Sequence, residues 1–204
     1  MFQSLPAKRR SKVRKKSGFL SRKVTAFIAV AFIVVIAIIA YQTIGRDDSG
    51  TDNNPARILL VTSMGNITIE LYDDMPITSG NFKNLTQQGI YDGTNFHRVV
   101  HNFVIQGGDA SVKGISVPTI LDELPNKHSN IRESVAMAKT SAPNSATSQF
   151  YINLKDNLDL DSNYSVFGRV IAGMDVVDAI GSAPTDDGDR PLQDITLITA
   201  ELSG

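Results

Sequence analysis

The chain has 204 residues, 20 basic and 21 acidic side chains, a formal net charge of −1 and no cysteine. Without cysteine, disulfide frameworks, thiolate metal sites and cysteine nucleophiles are excluded. The near-neutral total hides two opposed pieces: residues 1–46 hold ten of the bases and no acid, which leaves ten bases against 21 acids beyond them, a balance of −11.

Residues 1–23 form a basic tail, and residues 24–44 (VTAFIAVAFIVVIAIIAYQTI) follow with no charge. At ~1.5 Å per residue this apolar run reaches roughly 30 Å, the thickness of a bilayer's hydrocarbon core. It is expected to be one transmembrane helix, a signal anchor. The bases before it and Asp47 and Asp48 after it put the N-terminus in the cytoplasm and the remainder outside the cell membrane. A cleaved signal peptide is the competing reading. It is disfavoured because the apolar stretch exceeds the usual ~7 to 15 residues and ends in Ile38-Ile39-Ala40, without a small-x-small site. The basic cluster lacks aromatic interleaving, so anionic headgroups rather than nucleic acid are its expected partner. Residues 45–55 are polar and turn-rich and read as a flexible linker.

A single domain is expected over residues 56–204. Arg57–Thr62 and residues 66–71 alternate like strands, and Gly65 supplies the turn between them. A helix follows, with Pro76 in its first turn, Ser79, Phe82 and Leu85 at helical spacing, and Gly89 closing it. Further strands are expected at 95–99, 103–106, 135–139, 149–154, 165–171 and 194–201, and a short helix at 174–180. About eight strands and two helices point to a mainly β fold, an antiparallel sheet closed into a barrel and capped by helices.

Several chemistries find little support. His97 and His101 are four apart, but on a strand that spacing separates them by some 13 Å, so no metal site is expected. The 186–189 run DDGD lacks the ligand series of a calcium loop and reads as a solvated turn. No phosphate-cradling glycine motif or serine elbow is present, and no cofactor is expected. Two segments mix polar donors with aromatic and aliphatic residues: FHRVVHNFVIQGGD (96–109), and MAK (137–139) followed by SATSQFYIN (145–153). On composition alone Phe103, Val104 and Tyr151 could be core, and Arg98 one half of a surface ion pair.

These segments, with Asn81-Phe82 and VFGRVIAGMDVVDAI (166–180), resemble the cyclophilin family of peptidyl-prolyl cis-trans isomerases, most closely its prokaryotic members. The resemblance spans residues 57–202 and implies a closed eight-stranded barrel capped by two helices. It implies that Arg98 is the catalytic arginine and Gln106 the glutamine orienting it and the substrate. Phe103, Val104, Tyr151 and Leu160 match the proline pocket, Ala138 and Lys139 the edge holding the substrate backbone, and Gln149 the polar residue beside that groove. Asp159 stands where relatives have Trp or Phe, unless the loop register shifts and Leu158 takes that place, and Tyr164 stands where many have His. Loss of that aromatic implies weak cyclosporin binding.

An isomerase needs neither nucleophile nor metal. Rotation about the X-Pro bond faces ~18 to 20 kcal/mol because resonance keeps the amide planar. A catalyst must bind the twisted amide better than either planar form, and a fixed guanidinium beside an apolar pocket meets that demand. The resemblance thus implies an isomerase acting on proline-containing polypeptides and assisting exported or membrane-proximal chains. The alternative is a non-catalytic proline-peptide scaffold or holdase. Asn66, Asn84 and Asn163 head glycosylation sequons.

Overall fold

A computed structural model describes residues 55–203. The expected tail, transmembrane helix and most of the linker fall outside the described residues, and among the described residues no helix is long and apolar enough to cross a membrane. Strict alternation in β1 (Arg57–Thr62) turns Ile58, Leu60 and Thr62 inward. β2 (Gly65–Leu71) returns antiparallel, with Arg57 opposite Glu70 and Thr62 opposite Gly65. Gly65 takes φ +136° at that reversal, as the sequence anticipates.

Helix α1 (Pro76–Gln87) begins at its proline, but no side chain of its own caps it. The Glu123 carboxylate does so from 45 residues away, accepting the backbone N–H groups of Ile77 at 3.0 Å and Thr78 at 2.7 Å. A carboxylate there also meets the positive end of the helix dipole. Strands β3 (Thr94–Val100), β4 (Val104–Gly107), β5 (Ser134–Met137), β6 (Phe150–Asn153), β7 (Val166–Ala172) and β8 (Thr196–Leu202) complete the sheet, with α2 (Met174–Gly181) between β7 and β8. The order β1-β2-β7-β5-β6-β4-β3-β8 closes on itself, and every pairing is antiparallel. The mainly β barrel with two helices is therefore as expected. Phe82 from α1 packs on Tyr91, Phe150 and Phe167 at 4.9, 5.1 and 4.9 Å between ring centroids, within a core that includes Ile58, Leu60, Ile67 and Ile69.

Element ends differ from the sequence reading in ways that shape the site. β5 stops at Met137 instead of residue 139. Ala138 still donates to the Gln149 carbonyl at 2.9 Å, but Lys139 leaves the ladder as its side chain turns to Asp122. β4 starts at Val104 because Phe103 donates back to the Val100 carbonyl and closes a turn, with Asn102 at φ +54°. The long connection from β4 to β5, given no structure by the sequence reading, is a strap pinned by its own polar side chains. Along it Asp122 exchanges hydrogen bonds with Asn144 of the β5–β6 loop, and Asn126 accepts from the Val166 amide and donates to the Asp161 and Tyr164 carbonyls.

Candidate active site

Antiparallel pairing of β3 with β4 sets Arg98 opposite Gln106, just after an irregularity between Phe96 and Arg98. Arg98 Nη1 points to Gln106 Oε1 at 3.5 Å, and Gln106 Nε2 donates to Gln149 Oε1 at 2.8 Å. From the other side Arg98 Nε meets Asp189 Oδ2 at 3.4 Å. The guanidinium is thus held on two edges, with both charged groups partly exposed. The surface-pair reading of Arg98 and the functional reading are thus compatible.

Beside this row opens a cavity of about 160 Å³. Arg98, Gln106, Ala138 and Lys139 line its polar side; Phe103, Val104, Tyr151, Leu160 and Tyr164 line the remainder. Of the residues named from the sequence only Gln149 lies outside, in an adjoining cavity of about 180 Å³ with Thr140, Ser145 and Thr147. The two cavities share Gln106, Ala138 and Lys139, so the site is a groove with two depressions. Beneath it a second apolar cluster of Val104, Ala136, Ala138, Tyr151 and Val166 forms the floor. Val104 and Tyr151 are core, as composition alone allows, while Phe103 is only half-buried.

The floor hides a polar network that the sequence reading missed. Tyr151 donates from its hydroxyl to Asn130 Oδ1 at 2.7 Å. Burial pushes the Tyr151 phenol far up, with Tyr164, Asp161 and Asp159 adding to the effect, so it remains a donor. Asn130 is fully buried and donates from its backbone and side chain to Asp161 Oδ1 at 2.6 and 2.9 Å. Burial raises the Asp161 carboxyl, but these bonds from Asn130, with one from Ser129, outweigh it and hold the group below the usual carboxylate range. The one hint in the sequence is Tyr151 itself: a hydroxyl in a buried apolar floor demands a partner.

Lys139 lines the groove edge, and its side chain is engaged in an ion pair. Its ammonium sits 2.8 Å from Asp122 Oδ2, with side-chain exposures of 9% and 12%. Near Tyr164, the turn Leu158–Leu160 delivers Leu160 to the cavity and leaves Leu158 58% exposed. The DDGD run is a turn, Asp186 accepting from the Gly188 and Arg190 amides, but its last residue is Arg98's ion partner. His101 donates from Nδ1 to the Gly181 carbonyl at 3.1 Å.

A closed antiparallel barrel carrying a guanidinium, a glutamine pair and a ring-sized apolar cavity defines a peptide-binding domain suited to a proline ring. The model for cyclophilin-type peptidyl-prolyl cis-trans isomerases matches residues 57–202. The chain is 44% identical over 155 residues to the peptidyl-prolyl cis-trans isomerase of Acinetobacter baylyi, covering 69% of this chain and 82% of that one. It is 43% identical over 162 residues to the isomerase of Streptomyces antibioticus, covering 71% and 97%. A crystal structure of a Cryptosporidium parvum cyclophilin-type isomerase superposes with a TM-score of 0.69 at 26% identity, covering 74% of this chain and 98% of that one. Another, in the presence of the dipeptide Ala-Pro, gives 0.68 at 27% identity and covers 72% and 99%. The chain belongs to the cyclophilin-type peptidyl-prolyl cis-trans isomerases.

Proposed function

We propose that isomerisation takes place in the Arg98 groove, on exported or membrane-proximal chains. The observation that carries this reading is the Arg98–Gln106–Gln149 row along the rim of the apolar cavity. The proline ring enters between Phe103, Val104, Tyr151 and Leu160, where water is excluded. The substrate backbone lies along Ala138 and Lys139, whose side-chain charge is already spent on Asp122. As the amide twists, its resonance breaks and a lone pair localises on the prolyl nitrogen. Arg98 meets that density with a charge and a planar fork of donors, already oriented by Gln106 and Asp189. Binding the twisted amide better than either planar form lowers the barrier, and no bond to carbon is made or broken. Asp159, in place of an aromatic, favours weak cyclosporin binding.

Arg98→Ala in the full chain is expected to slow the catalysed cis-to-trans relaxation of a proline tetrapeptide by about 10²-fold, the usual loss for an electrostatic donor in a transition state. Equal rates for both proteins would sink the role of Arg98.

The setting rests on residues 1–55. The uncharged 24–44 run, basic before and acidic after, supports a single-pass anchor with the isomerase domain extracytoplasmic. A linker of about ten residues gives an end-to-end distance near 18 Å, so the domain works close to the bilayer surface. Protease added to intact cells is expected to remove the domain; protection of the domain, with the N-terminus cleaved instead, would reverse the orientation.

A further inference from the structure

Next in sequence to a residue that lines the proline cavity stands an exposed carboxylate. Asp159 is exposed in the turn Leu158–Leu160, immediately before the Leu160 that lines the cavity. The other charges at the groove are committed: Lys139 to Asp122, Arg98 to Asp189, and Asp161 to the two donors of Asn130. Among the described residues Asp159 takes part in no ion pair. It is close enough to the pocket floor for its charge to act on the Tyr151 phenol. An exposed negative charge with no ion partner therefore stands one residue from the lining of a largely apolar cavity.

We propose that Asp159 selects substrates, favouring X-Pro sequences with a lysine or arginine next to the proline and disfavouring those with an acid there. A ring seated against Leu160 carries its neighbouring residue past Asp159. A long cationic side chain can keep its stem on Leu160 and Tyr164 while its head meets the carboxylate. An acidic neighbour meets like charge instead. The attraction is a solvent-exposed one, so its effect is modest and falls with salt.

This inference rests on the Arg98 groove being the isomerase site, and the experiment separates the two. The full chain in mild detergent is assayed for kcat/KM on tetrapeptides bearing Lys, Ala or Glu directly before or directly after proline. At low salt the Lys-to-Glu ratio at one of these positions is expected to be about three- to tenfold. It should fall to near one in Asp159→Asn, fall likewise in wild type at about 1 M salt where the Debye length is only ~3 Å, and invert in Asp159→Lys. A wild-type ratio near one, or a ratio that persists in Asp159→Asn, overturns the proposal while leaving the site intact. Full turnover by Arg98→Ala on the Ala peptides would overturn both, because the groove would then not be the site.

Discussion

Lys139→Met tests whether the groove edge is held by a buried charge pair. Lys139 and Asp122 meet at 2.8 Å with side chains 9% and 12% exposed, whereas Arg132 and Asp178 meet at the same 2.8 Å with 45% and 48% exposed. Equal distance isolates the effect of burial. Methionine keeps most of the stem's volume but leaves the Asp122 carboxylate with the Asn144 amide as its remaining close donor, at 2.9 Å. Stranding one partner of a buried pair costs about 3–5 kcal/mol, and the surviving hydrogen bond puts this case near about 3. For a domain of this size that lowers Tm by roughly 6–12 °C. Urea unfolding followed by tyrosine fluorescence measures it, the chain having no tryptophan. Adding Asp122→Asn removes the stranded charge, retains an acceptor for Asn144, and should restore about 2 kcal/mol or more. Asp178→Asn, at the exposed pair, should cost less than about 1 kcal/mol. A Lys139→Met cost as small as that of Asp178→Asn, or a double variant no more stable than the single one, would refute the reasoning.

Two further expectations concern the pocket floor. Tyr151→Phe should cost only about 1 kcal/mol, since Asn130 Oδ1 keeps the bond it accepts from Asn153; Asn130→Ala should cost more, about 2–3 kcal/mol, because it strips the partner from Tyr151 and Asn153 and one of the two Asn130 donors from Asp161. Urea midpoints in the reverse order would contradict this network. Asp161, whose folded carboxyl lies below its ordinary value near about 4, contributes stability that is present above that value and lost as pH falls through the folded one. Asp161→Asn should therefore flatten the fall in stability below about pH 4 relative to wild type; an unchanged acid limb would mean these bonds carry no differential proton binding.

What could be read from the sequence follows the range of the interactions involved. Alternation in Arg57–Thr62 and the proline that opens α1 are local signals, and both elements form where those signals lie. Most residues named for the site lie in two segments whose pattern resembles the family, with Leu160 and Tyr164 beyond them, and one pair of strands brings Arg98 and Gln106 together by register alone. Their supports were not visible, because they come from elsewhere in the chain. Asp122 and Asn130 lie in the strap between β4 and β5, and Asp189 is 91 residues beyond the arginine it holds. Nothing in a run such as DDGD distinguishes an aspartate facing solvent from one facing a guanidinium until the barrel closes. Strand ends depart from the local pattern for a related reason: Phe103 and Lys139 have strand-like neighbours, but a turn bond and an ion pair draw them out of the ladder.

Closure of the sheet has a meaning for the polypeptides this isomerase handles. An open sheet ends in a row of unpaired backbone donors and acceptors, and an unfolded chain beside it can add itself as another strand. Here the β1–β8 pairing joins the first strand to the last, so all eight strands have neighbours on both sides. Among the described residues the barrel thus offers an extended chain no unpaired strand edge as a template for cross-β growth.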